Sequence, residues 1–380
     1  MREPGPLVAS RDGAAQYRGP LPRALVLLVG AAAIVVVLSG VRATAWLIAP
    51  VFTALVIVIA VSPVESRLRR RGWPGWLSTI VLVVLVYGIL LVLTLGIVVS
   101  IARLVALLPQ YTGRASDLVH SAASALSALG IGPDELRTAA DSLDLTKLTD
   151  LLLGLLSDVA GLVSSLAFLL ALLLFLSLES SGAGARIAVI ATDRPAVSQA
   201  LSRFAGGTRR YLLVTTVFGL VVAALDTLAL ALIGIPLAVT WGLLSFVTNY
   251  IPNVGFLIGL APPAVLGLLI GGVPKMMIVI ACYGLFNFVL QSLIQPRFVG
   301  DAVGLSVTVT FVALIFWAWL LGPLGAILAI PATLLVKALL VDIDPKAQWA
   351  DALVRAWTRP GHDRPRRSLF RHLHRPVRQR

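Results

Sequence analysis

The chain has 380 residues, of which 58% are hydrophobic and only 13% are charged, and its mean hydropathy is +0.94. A soluble globular domain is about 45–50% apolar, so the composition excludes an ordinary soluble protein. The formal net charge is +13, but the basic residues cluster outside the apolar tracts, which favours contact with anionic lipid over nucleic-acid binding. The single cysteine, Cys282, excludes an internal disulfide and a cysteine-rich metal site.

Six apolar tracts approach the length of about 20 residues that an α-helix needs to cross a bilayer. In chain order they are 24–41, 46–62, 76–99, 159–178, 211–233 and 276–294. They predict an all-α, polytopic integral membrane protein with about six full transmembrane helices.

The distribution of charge predicts the orientation and the organisation of the chain. Residues 1–20 form a cytoplasmic N-terminal tail, 21–108 hold the first three spans, and 109–158 form an amphipathic helical segment on the outer face. Residues 159–342 form a transmembrane transport core, and 343–380 are a basic cytoplasmic tail. The arginine-rich cluster at 67–71 returns the chain to the cytoplasm, so both termini are cytoplasmic and the basic segments contact anionic lipid.

Two stretches of the last third, 235–272 and 303–341, repeat one pattern. Each opens with a Leu-small-Val-Thr sequence, runs apolar for about four turns, and then breaks at a proline near a glycine. Proline removes a helical donor and clashes with the preceding turn. We interpret the stretches as two re-entrant hairpins, inverted relative to each other, which brings the total to about eight membrane segments. Two full crossings per stretch satisfy the same charge pattern and remain an alternative.

The matched breaks predict a solute-binding site. Non-helical backbone at membrane depth is tolerated where it is buried in protein or lines an aqueous cavity, and paired breaks in two repeats mark transporter sites. A structural kink relieved by neighbouring helices is the alternative. The candidate substrate-binding residues at the two breaks are Asn249, Pro252, Asn253, Gly255, Gly322, Pro323 and Gly325.

A polar, uncharged stripe precedes the second hairpin. Tyr283, Asn287, Gln291 and Gln295 recur at steps of four, which places them on roughly one helix face. We therefore add Asn287, Gln291 and Gln295 to the candidate substrate-binding residues. Hydrogen bonds between helices are the alternative role for the same amides.

Asp226 lies within the apolar tract 211–233. A central aspartate costs about 2.5–3.5 kcal/mol on insertion scales, so such a residue faces the protein interior and is a candidate for ion coupling. The alternative is that Asp226 lies high enough to reach water at the outer face. The four histidines fall outside the spans, and neither GxxxxGK, HExxH nor GxSxG occurs, so we predict no catalytic residue, no metal site, no cofactor and no ATP-binding loop.

At the two hairpins the sequence resembles the autoinducer-2 exporter family of bacterial membrane transporters. Four segments carry the resemblance: Gly234-Ile235-Pro236, Ile251-Pro252-Asn253-Val254-Gly255-Phe256, Pro296-Arg297-Phe298-Val299-Gly300, and the glycine- and proline-containing stretch 322–331. The resemblance covers most of residues 20–342 and is strongest from 205 onward. Asn253, Phe256 and Val307 depart from the family pattern, which leaves open whether the solute is the same.

The resemblance implies an exporter of small solutes, a homo-oligomer and a multi-pass protein of the bacterial cytoplasmic membrane. We predict a secondary transporter that exports autoinducer-2 or another small metabolite by alternating access, with ion coupling left open. The alternatives are an uncoupled channel and a cation/proton antiporter. The solute, the direction, the coupling ion and the oligomer number are not determined by the sequence.

Overall fold

The computed structural model describes residues 22–111, 113–114, 154, 166–179, 182–252, 254–295 and 305–344. Nearly all of them are helical. The predicted N-terminal tail, most of the predicted outer-face segment and nearly all of the basic C-terminal tail lie outside these ranges.

The first three helices form an up-and-down unit. Helix α1 spans Arg23–Ala43, α2 spans Ala45–Arg70 and α3 spans Gly75–Leu107, with a short 3₁₀ turn at Leu108–Tyr111. Gly72, with a φ of 84°, makes the turn between α2 and α3, a backbone conformation that glycine adopts without steric cost. Helix α3 extends beyond the apolar tract 76–99.

A bent pair and a long helix follow. Helix α4, Leu166–Glu179, meets α5, Ala183–Asp193, at 60°. Helix α6, Pro195–Ile233, has 39 residues and is therefore about 58 Å long, more than a bilayer core requires. It ends where Gly234 adopts the left-handed conformation and the Ile235 amide donates to the Leu230 carbonyl at 2.9 Å, a common way to satisfy the last carbonyls of a helix.

The first predicted break is present. Helix α7 spans Ala238–Thr248 and α8 spans Gly255–Asn287. The segment 249–254 between them is here called the first break, and its described residues, 249–252 and 254, are not helical. Helix α8 is kinked at Gly271 and Gly272, where φ is −137° and 69°, and it continues as a π-helix at Phe288–Ile294. The kink lies at the end of the stretch 235–272, which is interpreted from the sequence as the first hairpin.

The second predicted break is also present. Helix α9, Val307–Leu321, is capped by the Ser306 side chain, which accepts a hydrogen bond from the Val309 amide at 3.2 Å. It ends at Gly322, here called the second break, where φ is 72°. Short helices α10, Pro323–Ile327, and α11, Ala329–Lys337, and a π-helical turn at Ala338–Asp342 complete the element.

These helices confirm an all-α polytopic membrane protein. In the described part of the chain five helices are long and apolar enough to cross a membrane, or six if the bent pair α4–α5 counts as one span. Helix α7 has 11 residues and extends only about 16 Å, roughly half of a bilayer core. This length favours a hairpin over two full crossings at the first break. The inversion of the two hairpins in the membrane stays a prediction.

Helix α6 is the central element of the fold. Thr208, Tyr211, Thr215, Val222 and Asp226 are all buried and lie at helical spacing along one face of it. Helix α7 packs closely on that face because Gly242 has no side chain: a Cβ there would lie 2.9 Å from the Ala223 carbonyl oxygen. This contact places the first break directly against the middle of α6.

Candidate functional site

A small polar cavity lies where α6, α7 and α8 meet at the first break. Its volume is about 10 Å³, roughly what one water molecule requires. Uncharged polar side chains dominate the lining, together with one carboxyl group. The lining residues are Val222, Asp226, Ser245, Thr248, Asn249, Phe256, Tyr283, Asn287 and Gln291.

Three amide side chains in this cavity form a connected chain of hydrogen bonds, here called the amide relay. The Gln291 amide nitrogen donates to Asn249 Oδ1 at 2.8 Å and to Asn287 Oδ1 at 2.6 Å. Asn249 Nδ2 donates to the Thr215 carbonyl of α6 at 3.1 Å. The relay therefore links α8 to α7 and α7 to α6 through groups that carry no charge.

The break itself positions Asn249 for this role. Helix α7 ends at Thr248, and Asn249 is the residue that caps it. Gly219 of α6 leaves room for the amide, since a Cβ there would lie 2.7 Å from Asn249 Nδ2. On the other side, Gln291 belongs to the π-helical turn, a local irregularity that is frequent at functional sites.

Asp226 is fully buried in the same cavity. Ser245 and Tyr283 lie close enough to interact electrostatically with its carboxyl group. Among the described residues, however, neither carboxyl oxygen of Asp226 accepts a hydrogen bond. A buried ionised carboxylate without a partner is costly, so Asp226 requires a proton, a cation or water while the cavity is closed.

The structure thus brings together four of the predicted site residues: Asp226, Asn249, Asn287 and Gln291. Gln295 is half-buried and does not line the cavity, because the π-helical turn disturbs the regular step of four. Asn253 lies outside the described residues.

Pro252 and Gly255 shape the first break without lining the cavity. The Ile251 amide donates to the Thr248 carbonyl at 2.8 Å, and the Gly255 amide donates to the Ile251 carbonyl at 3.0 Å, which closes a tight turn. Gly255 is packed directly against the Thr248 carbonyl, so that a Cβ at this position would clash with it. These hydrogen bonds and the Gly255 contact set the geometry that presents Asn249.

Gly322, Pro323 and Gly325 are placed elsewhere by the structure. Gly325 is packed against the Trp317 carbonyl and the Leu321 side chain. Leu324 joins an apolar cluster with Ala49 of α2 and Leu320 of α9. None of the three predicted residues of the second break lines the cavity beside Asp226, so the two breaks do not share this cavity.

Sequence reasoning did not select Ser245, Thr248, Phe256 or Tyr283 as site residues. Tyr283 had a signal, because it begins the polar stripe that contains Asn287 and Gln291. Ser245 lies four residues before Asn249, on the same face of α7, and this spacing was also available. Phe256 was recognised as a departure from the family pattern, and the structure places it in the cavity lining.

The lining side chains can hydrogen-bond water or the polar groups of a solute, their oxygen atoms can coordinate a cation, and the one carboxyl group can take up a proton. In the described part of the chain no three metal-ligating side chains of the His, Cys, Asp or Glu type come together.

Comparison with known proteins gives concordant matches over most of the chain. A family model described as "AI-2E family transporter" matches residues 25–343. The "AI-2 transport protein TqsA" of Escherichia coli K12 is 30% identical over 306 residues, which cover 80% of this chain and 88% of TqsA. The "Putative transport protein YhhT" of the same strain is 28% identical over 314 residues, 82% of this chain and 89% of YhhT. A "Putative transport protein" of Haemophilus influenzae is 28% identical over 330 residues, which cover 85% of this chain and 94% of that protein.

Proposed function

Because the chain belongs to the AI-2E family of transporters, we propose that it is a secondary transporter that exports a small polar solute. The observation that carries the proposal is the amide relay beside the buried Asp226 at the first break. Uncharged donors and acceptors at a helix break bind hydroxyl or carbonyl groups of a solute without requiring a fixed charge on it. TqsA, which is similar over 80% of this chain, makes autoinducer-2 the first solute to test.

The relay supports alternating access. A cavity of about 10 Å³ has no room for a metabolite, so a solute enters only when the hairpin of α7 and the first part of α8 separates from α6. That motion breaks the bonds from Gln291 to Asn249 and from Asn249 to the Thr215 carbonyl. Hydroxyl or carbonyl groups of the solute replace these bonds in the open state, which limits the cost of opening.

Asp226 supports ion coupling in the same cycle. The closed cavity favours the protonated carboxyl group, whereas opening to water favours the carboxylate. Solute and proton occupancy are then linked through the position of the hairpin. The carboxyl oxygens, which accept no hydrogen bond from the described residues, also favour a second candidate, a cation/proton antiporter in which Asp226 binds the cation itself.

Flux into proteoliposomes tests the proposal. We expect saturable uptake of autoinducer-2, or of another solute from a panel of small polar metabolites, that depends on an imposed proton or sodium gradient. Saturation separates a transporter from an uncoupled channel, whose flux continues to rise with concentration. Proton movement driven by sodium without any organic solute indicates the antiporter. No protein-dependent flux of any solute or ion in intact, monodisperse preparations contradicts the proposal.

Asn249→Ala provides the site-specific arm of the experiment. It removes both the acceptor for Gln291 and the donor to the Thr215 carbonyl. Gln199→Ala is the matched control, because Gln199 is an exposed amide of α6. Equal flux in the two variants contradicts the assignment of the relay as the solute site.

We also propose that the chain lies in the bacterial cytoplasmic membrane with both termini cytoplasmic. One end of the molecule is formed by the C-terminal turn of α2, the start of α5 and the first half of α6, and each of these segments contributes arginines to it. The positive-inside rule associates such an arginine-rich end with the cytoplasmic face. In a Cys282→Ser background, a cysteine at Arg67 is expected to react from the cytoplasmic side. Labelling of that cysteine from outside alone contradicts this orientation.

A further inference from the structure

A second, much larger cavity opens at the arginine-rich end of the molecule. It lies between α2, α4, α5 and α6, and its volume is about 770 Å³, which is within the range of about 300–1,000 Å³ that holds small-molecule ligands. We call it the arginine cleft. Its apolar wall includes Leu55, Val58, Ile59, Leu176 and Ile187, and its charged rim includes Glu65, Arg69, Glu179, Arg186 and Arg209.

A proline in α2 fixes the position of Arg209 in this cleft. Pro63 lies inside α2 and has no amide hydrogen, so the Ile59 carbonyl one turn earlier loses its helical donor. Arg209 Nε donates to that carbonyl at 3.2 Å, and Arg209 Nη2 donates to Ser62 Oγ at 2.7 Å. The Ser62 hydroxyl itself donates to the Ile59 carbonyl at 3.0 Å.

These contacts hold the guanidinium rigidly while leaving part of it unused. A guanidinium has five N–H donors in a planar fork, and Arg209 makes only the two hydrogen bonds given above with the described residues. The fork is therefore oriented by α2 in advance, so a ligand that binds it does not need to immobilise a flexible side chain.

The charges around the cleft leave Arg209 without a carboxylate. Glu65 forms an ion pair with Arg69 at 2.8 Å, and Glu179 forms an ion pair with Arg186. Within the described ranges, Arg209 has no acidic partner among the ion pairs. Counted over its described residues, the cleft consequently carries one excess positive charge above an apolar wall.

We propose that the arginine cleft binds a small organic anion, with a carboxylate or phosphate group on Arg209 and an apolar body against α2 and α4. A bidentate contact between the guanidinium fork and either anionic group is strong and geometrically specific. The anionic group belongs either to a soluble metabolite or to the headgroup of an anionic phospholipid. The cleft and the cavity beside Asp226 share no lining residue, so this binding does not depend on the proposed transport site.

Isothermal titration calorimetry on the purified full-length protein tests the proposal, with hexyl phosphate as the probe and hexanol as the uncharged control. We expect saturable binding of hexyl phosphate and none of hexanol. Arg209→Gln is expected to weaken binding at least about 10-fold, because it removes a charge-assisted contact. Arg203→Gln removes the same charge from an exposed site on α6 and is expected to change affinity by less than about twofold.

Gly184→Trp separates binding from folding. Arg209→Gln also removes the donor to the Ile59 carbonyl, whereas a side chain at Gly184 enters open space, with nothing within 4 Å of its Cβ, and reduces the room in the cleft. We expect it to weaken hexyl phosphate binding while leaving the thermal unfolding temperature unchanged. Binding by either folded variant at wild-type affinity overturns the proposal, as does equal binding of hexanol.

Lipid nanodiscs identify the source of the anionic group. If phosphatidylglycerol-containing nanodiscs bind hexyl phosphate more weakly than phosphatidylcholine nanodiscs, and Arg209→Gln abolishes that difference, a lipid headgroup occupies the cleft. If affinity is equal in the two lipids, the ligand is a soluble anion. Absence of hexyl phosphate binding in both lipids overturns the proposal.

Discussion

The first and second breaks have the same backbone arrangement, but the side chains around them differ. In each, a short apolar helix stops and the chain turns back, and a glycine packs directly on a carbonyl of the incoming helix: Gly255 on Thr248, and Gly325 on Trp317. The first break faces Asp226 and the amide relay. The second is packed in an apolar cluster, and its two arms are joined by a hydrogen bond from Trp317 Nε1 to Thr333 Oγ1 at 3.0 Å.

The comparison shows that a helix break does not by itself make a site. Both breaks have backbone groups that a continuous helix would have satisfied. At the first break, the Asn249 side chain follows the end of α7 and hydrogen-bonds to the Thr215 carbonyl of α6 and to Gln291. At the second break, α9 ends at Leu321, whose side chain forms no hydrogen bond. The side chains at the end of each arm therefore determine what each break presents to its neighbours: a polar amide at the first and an apolar side chain at the second.

The largest expected effect tests whether the two breaks are the same device. Gly255→Ala and Gly325→Ala each place a Cβ into a backbone carbonyl, and we expect each to destabilise the protein by about 3 kcal/mol. Gly284→Ala is the control, because its Cβ has nothing within 4 Å. Thermal unfolding in detergent measures the effect. If Gly325→Ala unfolds at the wild-type temperature, the similarity between the breaks is only apparent.

The next effect concerns function at the first break. Asp226→Asn keeps the shape of the buried side chain but cannot exchange a proton, so gradient-driven flux is expected to fall at least about 10-fold. Folding is expected to be preserved, because the carboxyl oxygens accept no hydrogen bond from the described residues. Asp193→Asn, an exposed acid of α5, is the control in the same proteoliposome assay. A wild-type gradient dependence in Asp226→Asn removes the coupling role.

A third pair of substitutions contrasts the polar contacts at the two breaks. Asn249→Ala removes one of the two hydrogen bonds made by the Gln291 amide and the side-chain donor to the Thr215 carbonyl, and we expect solute affinity to fall about 10-fold or more. Trp317→Phe removes the donor to Thr333 and part of the packing against Phe316, and it is expected to cost at least about 1 kcal/mol of stability. Solute affinity is read from the concentration dependence of flux and stability from unfolding. A loss of solute affinity in Trp317→Phe shows that the second break also takes part in transport.

The smallest effects are expected at the prolines. Pro252→Leu leaves the amides of Ile251 and Gly255 in their hydrogen bonds and Gly255 against Thr248, so the turn persists and stability changes by less than about 1 kcal/mol. Pro323→Leu affects only the first residue of α10, where proline is favourable but not required. Unfolding temperature and flux are the measurements. A large gain in stability with loss of flux in Pro252→Leu means that the proline alone keeps the helix broken.

The amino-acid sequence determined the spans and the breaks. A run of about 20 apolar residues has one low-energy arrangement in a bilayer, because its backbone must satisfy its own hydrogen bonds. At both breaks a glycine that packs directly on a backbone carbonyl, Gly255 and Gly325, allows the chain to turn, which is why both breaks fall where the sequence predicted them. The step of four in the polar stripe placed Asn287 and Gln291 on one face for the same local reason.

Tertiary structure alone decided which of these features meet. The bond between Gln291 and Asn249 joins residues 42 apart in sequence, and Arg209 reaches the carbonyl freed by Pro63 from a position 150 residues beyond Ile59. Such contacts depend on the rotation and separation of packed helices, which small residues such as Gly219 and Gly242 set by allowing close approach. Local periodicity contains no information about those rotations. The sequence therefore indicated two equivalent breaks, whereas packing places only the first of them beside Asp226.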